Sequence, residues 1–444
     1  MLRAMEDLLA ARTQMAVSLM FHILFAIAGM AMPVLMVVSE QCWLRTGERI
    51  YLELTRRWAK GTAILFAVGA VSGTVLSFEL GLLWPRFMEH AGAIIGMPFS
   101  LEGFAFFTEA IFLGIYLYGW ERVPPRAHLL AGGVVALSGG LSAVFVIAAN
   151  AWMNTPTGFE LVDGRFTNID PVAAMLNPAF VPQAVHMLLA AYAAVGFAVA
   201  GIHAAVLVRH PGDRFHRAAL GIALLVGGPA ALLQPLSGDR LAKMVAELQP
   251  AKLAAMEGQF ETERGAPLHV GGLPDPEAGV TRWALRIPNG LSILAFGDPD
   301  ATVTGLHDIP RDRWPNVVLV HLSFQVMVAC GVAMAALALW AGIVWLRRRR
   351  PPDSPLLLRL LVLASPLGVL GIEAGWFVTE LGRQPWIIQG VMRTRDALTP
   401  MPGLVVPLVA ISLVYVALGV IVVVLLRRHV VSTVPAGALP GRAA

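Results

Sequence analysis

The chain has 444 residues, of which 57% are hydrophobic and 14% charged, with a mean hydropathy of +0.69. Soluble domains carry roughly 25% charge, so these figures exclude a water-soluble globule, a disordered chain and a coiled coil, and leave an integral membrane protein of several spans. The net charge of +4 comes from short, scattered basic clusters that make no stripe, which excludes a nucleic-acid partner.

A span needs about 20 apolar residues to cross roughly 30 Å of hydrocarbon. In chain order the predicted spans are 14–38, 61–84, 92–120, 128–150, 184–208, 218–237, 317–346, 360–381 and 403–426, an all-α fold of nine transmembrane helices. The acidic, amphipathic segment before the first span shows no cleavage site and is expected to be retained. Cys42 and Cys330 form no CxxC or CxxCH pattern, which argues against covalent haem, thiolate clusters and a disulfide framework.

An odd number of spans puts the termini on opposite sides. With the N-terminus outside, the short inner segments hold 18 Lys and Arg and the short outer segments hold seven. The positive-inside rule therefore predicts an outer N-terminus and an inner C-terminus. The Arg347–Arg350 run is read as a topology anchor against anionic lipid. The chain divides into spans 1–6 (1–237), a long outer loop (238–316), and spans 7–9 with a cytoplasmic tail (317–444). The loop is predicted to begin as a helix, roughly Asp239 to Arg264, and to continue as an irregular Pro/Gly-rich stretch.

Ionisable side chains inside spans cost at least about 2.5–3.5 kcal/mol each on insertion scales, so each needs a reason. They include His22, Glu79, Glu102, Glu109, His186, His203, His321, Glu373 and Glu380. For Glu79, His203 and His321 an interhelical hydrogen bond is reason enough. Glu102 and Glu109 are seven residues apart, as are Glu373 and Glu380. Each pair therefore stacks on one helix face, about 10 Å apart along the axis, an arrangement that suggests a proton relay or cofactor ligation. On the predicted topology His22, His186, Met327, Glu102 and Glu380 fall in the outer half of the membrane. Imidazole, thioether and carboxylate are ligands or tuners of haem iron. A His/Met pair from different helices would suit a low-spin haem, and a lone His or carboxylate would leave an open position.

Several runs then carry a resemblance: Arg12-Thr-Gln, FHILF around His22, LEGFAFFTEAIF (101–112), GW at 119–120 with Arg122, AANAWMNTP (148–156), PQAVH (182–186), KLAAMEGQFET (252–262), SFQVMVACG (323–331) and IEAGWFVTELGRQPW (372–386). In this order, from about Arg12 to Gly419, the chain resembles subunit I of the cytochrome bd-type quinol oxidases, in the form with a short Q loop. The resemblance implies a subunit that oxidises membrane quinol at the outer face and reduces O2 to water with cytoplasmic protons, building a proton motive force without pumping. It implies three non-covalent haems: a low-spin haem b, a high-spin haem b, and a haem d or further haem b. His186 and Met327 match the axial pair of the low-spin haem, His22 a high-spin ligand with Glu102 at the same haem, and Glu380 the other high-spin ligand. Trp376 matches an aromatic between haems, Arg383 a cation near the propionates, and Lys252 and Glu257 the quinol-oxidising residues of the loop. Expected partners are subunit II, quinol and O2 in a bacterial cytoplasmic (inner) membrane, with room for a small single-span accessory subunit. The alternative reading is a quinone-linked cytochrome b that passes electrons to a partner without touching O2.

Depth along span 3 orders the two acids: a proton from the cytoplasm would meet Glu109 first and Glu102 second. Two positions depart from the family pattern. Gln325 stands where an Arg usually lies two residues before the axial Met; Gln can hydrogen bond a propionate but cannot neutralise it, so a lower potential for the low-spin haem or a changed quinol preference is expected. Ala110 replaces a hydroxyl residue found after the second acid in some members.

Overall fold

The computed structural model describes residues 2–431. Residues 432–444 of the predicted tail, Arg442 among them, lie outside the described residues. The helices are α1 (Leu2–Thr46), α2 (Arg49–Leu83), α3 (Pro85–Tyr118), α4 (Pro125–Asn154), α5 (Pro171–Met175), α6 (Phe180–Arg209), α7 (Arg214–Leu248), α8 (Pro250–Glu257), α9 (Gly290–Phe296), α10 (Val317–Arg348), α11 (Pro355–Ala364), α12 (Leu367–Gly382) and α13 (Val405–Leu426). Among the described residues, nine helical segments are long and apolar enough to cross a membrane, with α11 and α12 together forming one of 28 residues.

Local chemistry fixes where these helices begin. α3, α4, α5, α8 and α11 open on a proline, whose missing N–H costs nothing in the first turn. The side chains of Asp213, Asn316 and Ser354 cap α7, α10 and α11 by accepting from the N–H groups of His216, Leu319 and Leu357. The eighth span, predicted as continuous, is interrupted at Ser365–Pro366, because Pro366 cannot supply the next helical hydrogen bond. Small residues set the closest helix contacts. A Cβ on Gly196 of α6 would lie 2.5 Å from Gly227 Cα of α7, and one on Gly368 of α12 would lie 2.3 Å from Ala194 Cα.

The segment between α7 and α10 differs from its predicted form. α7 runs 11 residues past the predicted end of its span, to Leu248, and α8 follows after Gln249 and stops at Gly258, which is left-handed at φ +64°. The stretch expected to be irregular carries three antiparallel ladders, 263–264 with 302–303, 268–270 with 285–287 and 273–275 with 280–282, together with α9. The strands are two or three residues long, too short for a period-two pattern to register in the sequence. This folded segment covers the ends of α7, α10 and α12, and that end of the molecule is called the loop end below.

Candidate functional site

Two histidines share one local design. Ser72 Oγ of α2 lies 3.0 and 3.1 Å from the backbone carbonyls of Val68 and Gly69 and 2.9 Å from His22 Nδ1; with its single hydrogen turned to a carbonyl, it accepts from Nδ1–H. Ser237 Oγ of α7 donates to Gln234 O at 2.9 Å and in the same way accepts from His186 Nδ1 at 2.9 Å. Each serine thereby fixes the tautomer in which Nε2 carries the free lone pair, as a metal-ligating imidazole requires. Gln234 Nε2 donates to His186 Nε2 at 3.1 Å, so an amide occupies the direction an iron would take.

Each of these groups also faces a glycine across a helix interface. A Cβ on Gly73 would lie 3.0 Å from the His22 ring, one on Gly238 3.5 Å from the His186 ring, and one on Gly375 3.1 Å from Met327 Sδ. His186 looks toward α7 and Met327 toward α12, within the bundle formed by α6, α7, α10 and α12. The donor set, with one unprotonated nitrogen per imidazole, a thioether and a margin of glycine, fits haem.

A chain of hydrogen bonds connects α8 to α12. Lys252 Nζ donates to Asn154 Oδ1 at 2.7 Å, Asn154 Nδ2 reaches Asn150 O at 2.9 Å and Oδ1 at 3.3 Å, and Asn150 Nδ2 donates to Glu380 Oε1 at 2.6 Å. Arg383 Nη2 donates to the other oxygen of Glu380 at 2.5 Å. Glu380 thus accepts from two donors and has lone pairs to spare. Arg383 is 3% exposed, yet its Nε and Nη1 are unpartnered, as is the buried Trp376 Nε1. A buried guanidinium with spare donors fits a propionate.

Lys252 and Glu257 are 4% and 5% exposed, so neither is part of a solvated helix face. Burial, reinforced by repulsion from Arg383, lowers the Lys252 ammonium to about pKa 7 against the opposing pull of Glu380. Burial alone raises the Glu257 carboxyl to about 8, and its Oε2 has no partner. The two side chains are not brought together. They leave α8 about 140° apart, Lys252 toward Asn154 and Gly382, Glu257 at the opposite end of the helix. Beside Lys252 and Arg383 lies a cavity of about 210 Å3 whose lining includes Gln249, a buried residue with both amide atoms unpartnered. The sequence reading passes over Gln249; its one signal is its place at the α7–α8 break.

Both acids of α3 face α4, as their spacing requires. Ser142 Oγ donates to Glu102 Oε1 at 3.3 Å, and Glu109, 5% exposed, packs against Gly139, where a Cβ would lie 3.1 Å from its Oε1. Seven residues further along the same face, Tyr116 OH donates to Glu40 Oε2 at 2.6 Å, and His128 Nδ1 meets Glu40 Oε1 at 2.8 Å. Glu40 is fully buried. The sequence reading misses this cluster, although the seven-residue interval from Glu109 to Tyr116 marks one of its members. Glu79 and His203 have the interhelical partners expected of them, Gln14 at 2.8 Å and His216 at 2.8 Å. Gln325 is engaged by the loop. Both ends of its amide are bound to loop backbone, Gly271 N at 3.0 Å and His269 O at 3.2 Å.

Comparison with known proteins agrees with this chemistry. The family model described as cytochrome bd terminal oxidase subunit I matches residues 10–434. A cytochrome bd ubiquinol oxidase subunit 1 of Bacillus subtilis (strain 168) is 31% identical over 442 residues, covering 96% of this chain and 94% of that one. A second chain of that bacterium, named as subunit I of a cytochrome bd menaquinol oxidase, is 38% identical over 434 residues, covering 96% and 98%. The solved bd oxidase of Geobacillus thermodenitrificans contains a chain that superposes with a TM-score of 0.90 at 39% identity, covering 97% of this chain and all of that one. The helical bundle, the ligand-competent histidines and these matches lead to one conclusion: the chain belongs to the cytochrome bd terminal oxidase subunit I family, the haem-bearing membrane subunits of quinol oxidases.

Proposed function

We propose that this subunit oxidises quinol at its loop end, which faces the outside, and passes the electrons through three haems to O2, which is reduced to water with protons from the cytoplasm. The observation that carries the reading is the shared environment of His22 and His186, each with Nδ1 held by a serine so that the Nε2 lone pair can bind iron, at His186 once the Gln234 amide gives way. His186 and Met327 hold the low-spin haem, His22 and Glu380 the two high-spin haems, with Glu102 beside the haem of His22. Bound haem supplies one-electron transfer and, at a high-spin site, an open position for O2. Arg383 neutralises propionate charge with its spare donors, and Trp376 lies between haems. Subunit II completes the complex in a bacterial inner membrane, with space for a small accessory subunit.

Lys252 and Glu257 serve the quinol. Because they diverge on α8, they do so from two sides. Glu257 takes a quinol proton, which it can do only when ionised, while Lys252, anchored by Asn154, supplies a donor. Protons reach the haems from the opposite end through Glu109 and then Glu102. Protons that cross most of the bilayer before being consumed make turnover electrogenic without a pump.

The sign of the pH dependence follows from Glu257. Its carboxyl ionises near pH 8, so quinol oxidation rises with pH toward about 8 and then levels. Folding stability runs the other way. Between 4.5 and about 8 the folded protein keeps a proton that an unfolded Glu loses, so Glu257 makes the loop less stable as pH rises. Lys252 acts oppositely between about 7 and 10.5, where the folded protein has released a proton that the unfolded chain retains. Glu257→Gln is expected to remove the rise toward pH 8 and to lower quinol oxidation about 100-fold, while an artificial donor that bypasses the loop still drives oxygen consumption. Equal loss with both donors would end the assignment.

A further inference from the structure

We propose that Gln325 and His321 of α10 are positioning residues for the quinol loop, gripping the backbone of Gly271 from both sides and so holding Glu257 in place. The role given to Glu257 rests on the function proposed above; the clamp itself rests on hydrogen bonds. The last carbonyls of a helix have no partners within it. At the end of α8, three successive carbonyls each meet a side chain from elsewhere. Met256 O lies 2.8 Å from His321 Nδ1, Glu257 O lies 3.0 Å from His269 Nδ1, and Gly258 O accepts from Thr281 Oγ1 at 2.7 Å. Glu257 therefore sits on a backbone pinned from α10 and from two strands of the loop.

The same face of α10 takes hold of the loop a second time. Gly271 N–H donates to Gln325 Oε1 at 3.0 Å, and Gly271 O lies 3.1 Å from His321 Nε2; the ring sits between this carbonyl and Met256 O, and donates to one of them as a neutral imidazole and to both as an imidazolium. Gln325 Nε2 also donates to His269 O at 3.2 Å, next to the ring that meets Glu257 O. His321 and Gln325 are four residues apart and so share a helix face. His321 is fully buried. Gly271 adopts φ +68°, a conformation that side chains rarely tolerate, and this brings its peptide against α10. Met327 follows Gln325 by two residues and points about 200° away, toward Gly375 of α12. One helix thus carries the loop clamp on one face and the candidate haem ligand on another, which ties the position of Glu257 to that of Met327.

An arginine at 325 could not make this clamp. A guanidinium has only donors, and Gly271 N–H needs an acceptor. The departure from the family pattern thus converts a position expected to serve haem into one that serves the loop.

The test uses the assembled oxidase with Gln325→Met and Gln325→Arg. Both variants are expected to raise the KM for quinol about tenfold, as displacement of a positioned group does, and to speed hydrogen exchange across 269–272. Turnover with an artificial donor that bypasses the loop should stay at the parent value, and in Gln325→Met the low-spin haem potential should not move. A moved potential or low-spin band in Gln325→Met with unchanged quinol KM would overturn the proposal, as would no change in any of these. If the variants fail to assemble, the unmutated oxidase decides: Gly271 N–H should be protected like the backbone of α10, and exchange at the rate of an open turn would overturn the clamp. The two readings fail separately, since Glu257→Gln without effect on quinol oxidation refutes the quinol role of Glu257 and leaves the exchange result standing.

Discussion

Met327→Leu is expected to abolish quinol oxidation while leaving the other two haems bound. Leu and Met have similar volumes, and such swaps in packed interiors usually cost under about 1.5 kcal/mol, so the interface with Gly375 should survive. What disappears is the thioether. On the proposed ligation the low-spin haem should then lose a donor and become five-coordinate or high-spin, with its potential and spectrum changed. Altering residues that only support a ligand costs about 10–100-fold, and removing the ligand itself should exceed that. His186, still hydrogen-bonded to Ser237, would keep the haem in place. An unchanged low-spin spectrum in this variant would refute the assignment.

The second large effect is expected from Glu109→Gln. Glu109 is buried and packs against Gly139 and Gly29, and among the described residues no side chain of a neighbouring helix hydrogen-bonds to it. A purely scaffolding role therefore has little to act through, and Gln fills the same space. The variant should assemble with normal haem content but lack a titratable proton between the Tyr116–Glu40 cluster and Glu102. Oxygen reduction should slow by about 100-fold or more, within the range general acid–base groups supply, and charge movement in reconstituted vesicles should be lost. Turnover and potential equal to the parent would make Glu109 scaffolding and send the protons by another route.

The spans, the intramembrane acids and the candidate ligands were legible because hydropathy and a seven-residue interval are local properties of the chain. The partners of those residues were not. Ser72 lies 50 residues from His22 and Ser237 51 from His186, Asn154 lies 98 from Lys252, and Asn150 lies 230 from Glu380. Nothing short of the helix packing brings such pairs together. The same holds for Gln325. Its residue type suggested a weak propionate partner, but a glycine turn 54 residues away claims its amide. The loop ladders leave no periodic trace because their strands are two or three residues long, whereas the break in the eighth span is marked in the sequence by Pro366.

The central claim is that electrons from quinol enter a low-spin haem held by His186 and Met327 and leave to O2 at a separate high-spin site within the same complex. The most direct measurement is the optical difference spectrum of the purified complex, reduced with quinol under anaerobic conditions and then exposed to carbon monoxide or O2. The account predicts a low-spin b band that quinol reduces and carbon monoxide does not shift, a high-spin band that carbon monoxide does shift, and rapid loss of both on adding O2. A quinol-reduced b band that persists in O2, with no component shifted by carbon monoxide, would contradict the account and describe a cytochrome that hands its electrons to a partner.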